Sequence, residues 1–210
     1  MKRLLFISFL FFTCFALTAC NDSDKKQVES KNDSGKTNWV KSVNLTDREM
    51  AILATTTSYA NVFDFKVDDS YSQASVWVEK FVSGKEVKTN IGPLTTDIER
   101  KGSIIFTTSE PPLESNEIIF EIGIHSEGST SSSHNTDMIS KVKLENKSSM
   151  IHSVSSISLA DEELVLATIC LTDDQGMTSI PQEFYEDMES HLDVLKEYDI
   201  VYVLKAKFKE

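Results

Sequence analysis

After Glu163 the segment "LVLATICL" is apolar at odd and even positions alike. A strand with that pattern has no face to give to water and needs cover on both sides. The rest of the chain supplies material for such cover. "VFDFKV" puts Phe63, Phe65 and Val67 on one face against Asp64 and Lys66, and "ASVWVEKFV" follows it. A glycine turn in "SGK" at 83–85 leads into "EVKTNI", which predicts a hairpin. "GSIIFTTS" reads as a strand closed by Pro111 and Pro112, which cannot continue a ladder. "EIIFEIGIHS" alternates most clearly, with Ile118, Phe120, Ile122 and Ile124 on one side. "DMISKVKLE" alternates again, and "MIHSVSSISL" does so weakly. The final "DIVYVLKAKF" sets Ile200, Tyr202, Leu204, Ala206 and Phe208 on one face.

Two segments carry helical signals. In "VNLTDREMAIL", Thr46 and Glu49 form a capping-box pair, and Leu45 and Met50 stand at hydrophobic-staple positions. "TSIPQEFYEDMESHLDVLKEY" opens with Ser179 and Gln182 as a second box. There Phe184, Met188, Leu192 and Leu195 recur at helical spacing. The expected fold class is α+β: a mainly antiparallel sheet, a short N-terminal helix, and an amphipathic helix across the sheet before an inserted last strand. A β-sandwich with a peripheral helix is the alternative.

The first twenty residues, "MKRLLFISFLFFTCFALTAC", have a basic start at Lys2 and Arg3 and an apolar stretch to Ala16. This order marks a secretory signal. The stretch falls short of the roughly 20 apolar residues that cross a bilayer. Leu17-Thr18-Ala19-Cys20 resembles the lipobox of bacterial lipoproteins. The resemblance implies cleavage before Cys20 and a diacylglyceryl group on its thiol, and two acyl chains suffice for stable anchoring. The chain then divides into a signal peptide (1–19), a lipidated cysteine with a flexible tether (20–38), and one globular domain (39–210). The tether, "NDSDKKQVESKNDSGKTN", is too polar to offset its ordering entropy.

Loss of residues 1–19 removes two of 21 basic residues and none of 33 acidic ones, taking the net charge from −12 to −14. Such a surface repels phosphate backbones, which excludes nucleic acid as an expected partner. Cys170 is the cysteine left in the folded part, so no internal disulfide is possible, and its buried-strand context reads as packing.

No catalytic motif is present: there is no GxSxG elbow, HExxH, phosphate-binding glycine loop or CxxC pair. Four weaker constellations stand out. His125 and His134, with Asp137, would hold a metal if their loop brought them together, although the spacing is not a ligand pattern. Ser129–Ser133 reads as a mobile surface loop without an activating base, and "TDDQG" at 172–176 as a turn. Tyr71, Trp77 and Phe81 would form a stacking platform if they converged, though strand aromatics more commonly serve the core. The expectation is therefore a membrane-anchored extracytoplasmic lipoprotein with a binding or interaction domain and an unknown protein or small-molecule ligand. It has no expected catalytic residue, cofactor or metal. A hydrolase whose residues assemble only on folding is the rival.

Overall fold

The computed structural model describes residues 38–89, 91–109, 117–139, 148–159, 163–173 and 178–210. Its strands are β1 (Trp39–Ser42), β2 (Tyr59–Lys66), β3 (Gln73–Val82), β4 (Lys85–Val87), β5 (Leu94–Asp97) and β6 (Lys101–Ser109), followed by β7 (Glu117–Ser126), β8 (Ser129–Met138), β9 (Ser148–Ser153), β10 (Ser156–Ser158), β11 (Leu164–Thr172) and β12 (Ile200–Lys209). The helical elements are α1 (Asp47–Leu53), α2 (Gln182–Glu186) and a 3₁₀ segment, Glu189–Glu197. Every strand pairing is antiparallel. One sheet runs β10-β1-β2-β6-β7-β8, and the other β4-β3-β12-β11-β9 with β5 also on β3.

These two sheets overturn the α+β assignment. Their inner faces pack on each other: Phe65 lies 5.3 Å from Phe208 and Phe120 lies 4.8 Å from Tyr202 between ring centroids. The described domain is a β-sandwich with short helical segments outside it. The amphipathic helix expected over 182–197 does not form as one piece. Asp187 leaves the helical region at φ −147°, and His191 breaks the 3₁₀ segment at φ −123°. Ser179 does not cap, because Pro181 occupies the N-cap position without a side-chain bond. The Asp187 carboxylate instead accepts from the Ser190 N–H, restarting the chain after the break. Phe184, Met188 and Leu195 still reach the buried surface, whereas Leu192 leaves the stripe. Packing on the sheet outweighs helical period here.

Several local readings hold. β12 lies between β3 and β11, and β11 is buried at all nine positions. Ser83 and Gly84 turn β3 into β4 with φ of 49° and 74°, the left-handed pair that a tight two-residue hairpin requires. The Thr46–Glu49 capping box is formed in both directions. Its staple is not a core contact, since α1 buries no residue and Met50 is half exposed.

Other readings change. "MIHSVSSISL" splits between sheets: β9 pairs with β11 while β10 pairs with β1. Buried Val154 makes the crossing, with its N–H held by the Leu166 carbonyl. The serine-rich stretch is strand β8, entered through a Glu127–Gly128 turn with both φ positive. Strands β1 and β5 lacked a sequence signal. The expected strand "DMISKVKLE" lies outside the described residues beyond Ile139, as do Pro111 and Pro112.

An ionic contact joins the sheets. Lys80 of β3 donates to Asp137 of β8 at 2.6 Å, and Tyr202 of β12 donates to the same carboxylate oxygen at 2.7 Å. Burial and the adjacent carboxylate both raise the Tyr202 pKa, keeping the phenol a donor. Breaking such a pair strands a desolvated charge, which costs more than replacing the whole group with apolar side chains. Asp137→Ala should therefore destabilise by about 3–5 kcal/mol in urea unfolding. The triple replacement Lys80→Met, Asp137→Leu, Tyr202→Phe should recover most of that loss.

Candidate functional site: a charged groove on the outer face of the second sheet

The outward side chains of β3, β12 and β11 form rows across the second sheet. Phe81, Val201, Cys170 and Met150 make one row, and Glu79, Val203, Thr168 and His152 the next. Trp77, Lys205 and Val165 follow. α2 and the 3₁₀ segment cover the first two rows, where Tyr185 hydrogen-bonds to Thr168 at 2.9 Å. Beyond this cover the sheet opens into a groove of about 560 Å³. Lys205, Lys207 and Val165 are on its sheet side, with Glu186, Asp187 and Glu189 on the other. A second cavity of about 370 Å³ shares Glu163, Tyr185 and Glu186 with the first and extends to β10.

The charges in this groove are organised. Lys205 Nζ lies 3.0 Å from Glu79 and 3.2 Å from Glu163. Trp77 Nε1 donates to the same Glu79 oxygen at 3.1 Å. Burial is the largest single influence on Lys205 and lowers its pKa. The hydrogen bonds and charges of Glu79 and Glu163 together outweigh it, so the ammonium is held above the usual lysine range. Asp187 is held below the usual carboxylate range, chiefly by the Ser190 hydrogen bonds. The result is a set of fixed opposite charges that can orient a polar ligand. Among the described residues that line it, no nucleophile is paired with a base.

The constellations singled out from the sequence do not assemble. His125 bonds to Thr130 at 2.8 Å, while His134 meets Glu121 at 3.2 Å. Glu121 and His125 stand four residues apart on β7, and Asp137 faces inward to Lys80. No group of three metal-ligating side chains occurs among the described residues. Tyr71 packs on Phe208 in the core, Phe81 is buried outward, and Trp77 stands beside Lys205, so the three rings form no platform. Cys170 is fully buried, and desolvation pushes its thiol up to about 12, leaving it a packing residue. "TDDQG" is described only at Thr172 and Asp173. Cys20 lies outside the described residues.

Lys205, Lys207, Glu79 and Glu163 went unnoticed in the sequence. The signal was present in "LKAKF", where two lysines alternate with the core-facing Leu204, Ala206 and Phe208. What the sequence lacked was the identity of the segment flanking that outer face.

His152 sits at the margin of the covered rows with a buried Nε2 that has no hydrogen-bond partner. Burial lowers its pKa, so the unfolded chain takes up a proton more readily than the folded one. Its contribution is present above the unfolded value of about 6.5 and is lost as pH falls through it. Urea midpoints should drop between about pH 8 and about pH 5.5, and drop less in His152→Phe. The lowered carboxylates Glu49, Asp68 and Asp187 stay ionised across that window.

No curated protein and no solved structure matches the chain. The YgaN domain matches residues 39–208, which span β1 to the penultimate residue of β12 and include every residue of the groove. The chain belongs to the YgaN domain family.

Proposed function

We propose that this protein is a lipoprotein held on the extracytoplasmic face of a membrane through Cys20, and that its domain binds a ligand or partner rather than catalysing a reaction. The groove between β11–β12 and α2 carries the binding reading. Its lysine is locked between two carboxylates, its walls carry both signs of charge, and its volume of about 560 Å³ falls within the range of small-ligand sites. The LTAC motif after an apolar stretch supports the anchor. The acidic composition disfavours nucleic acid as the partner.

The two parts are tested separately. In cells grown with labelled palmitate, the wild-type protein should incorporate label and fractionate with membranes, while Cys20→Ala does neither. An unlabelled wild type overturns the anchor. For the groove, the domain is screened by thermal shift against cations, glycans and short peptides. A ligand that raises the melting temperature of the wild type should lose at least about tenfold in affinity, or about 1.4 kcal/mol, in Glu186→Lys and Lys207→Glu. A ligand bound equally by these variants is bound elsewhere, and the groove assignment falls.

A further inference from the structure

A tryptophan and three lysines meet on the outer face of the first sheet, at the point where the chain enters the domain. Trp39 is the direct cross-strand partner of Lys66, and Lys66 that of Lys101. Their chain neighbours Val40 and Phe65 are the core-facing residues, so this row points away from the core. Lys41 lies on the same face, with Nζ 4.4 Å from the Trp39 ring centroid. Lys101 is exposed, and the other three are partly so.

Nothing in folding calls for Lys66 opposite Lys101, because like charges directly paired across strands are unfavourable. Among the described residues, Asp64 lies on this part of the face, opposite Lys41 and accepting from Ser103, and exposed Glu127 follows Ser126, the register partner of Gly102, at the end of the row. In the adjoining loops Arg100 and Asp69 pair with each other, Asp68 is engaged by Asn38 and Ser70, and Glu99 is exposed. A cationic row thus persists on a chain whose net charge is −12.

We propose that this row docks the domain on an anionic phospholipid surface, with Trp39 at headgroup level and Lys41, Lys66 and Lys101 against the phosphates. The inference rests on the lipoprotein reading for its geometry. Cys20 precedes Asn38 by 18 residues in the sequence. A lipid on Cys20 therefore holds this end of the domain within reach of the headgroups. Tryptophan favours the membrane interface, and lysines near an anionic surface are drawn to it.

The test uses the chain from Cys20, coupled through that thiol to a maleimide lipid in vesicles. Buried Cys170 does not compete for the maleimide. In a Trp77→Phe background Trp39 is the remaining tryptophan, and its quenching by brominated lipid reports contact. Vesicles with about one-third phosphatidylglycerol should quench at least about twofold more than phosphatidylcholine alone, and salt at about 0.5 M should remove the difference. Lys66→Glu with Lys101→Glu should abolish it, and the corresponding Gln pair should weaken it, both with native circular dichroism. Equal quenching on the two vesicle types, or no effect of charge reversal, overturns the proposal. The anchor here is supplied chemically, so that failure counts against the docking row. A missing palmitate label on native protein counts against the lipoprotein reading instead.

Discussion

The two-sided burial of the β11–β12 pair is the constraint on which the rest of the architecture depends. β11 exposes no residue, and β12 is buried along its first five positions on both faces. One face is closed by the first sheet, through contacts such as Phe120 on Tyr202. The other needs a second cover, which comes from Phe184, Tyr185 and Leu195 of the segment before β12. That segment gives up regular helical geometry so that its apolar side chains meet the sheet. Apolar burial at roughly 25 cal/mol per Å² readily outweighs the propensity cost of a broken helix.

The same arrangement creates the groove. The cover stops over the Thr168 row, and the next outward row is Trp77, Lys205 and Val165. Charged side chains are tolerated there because Glu79 and Glu163 compensate Lys205. The edge of the cover thus determines where the outer face opens into the groove. The inner polar contact of Lys80, Asp137 and Tyr202 follows a different logic. It lies where edge strand β8, with Ser131, Ser133, Asn135 and Asp137 facing inward, offers the sandwich no apolar side chains.

Much of the strand content was legible because period-2 alternation reports one buried face, as in "EIIFEIGIHS". Strand β8 was not legible for the converse reason. Its inward and outward residues are both polar, and its place is set by backbone pairing with β7 and the Glu127–Gly128 turn. The split of "MIHSVSSISL" between sheets was equally hidden, since nothing local distinguishes a strand that continues from one that changes sheet at Val154. The α+β expectation failed on the segment at 182–197. Its helical period was real, but period records which residues want burial and not whether one helix delivers them.

The sequence by itself determined the features that depend on neighbours in the chain: the capping box at Thr46 and Glu49, the turn at Ser83–Gly84, and the two-sided burial of the strand after Glu163. It also carried the oily-to-polar boundary at Cys20 and an acidic balance that sets the character of the surface. Tertiary structure decided what depends on distant residues sharing space. It divided the strands between two sheets and brought Glu79, Glu163 and Lys205 together from three elements. It also aligned Trp39, Lys66 and Lys101 across three strands. Cross-strand register, set by the packing of whole sheets, governs each of these juxtapositions, and no stretch of chain contains it.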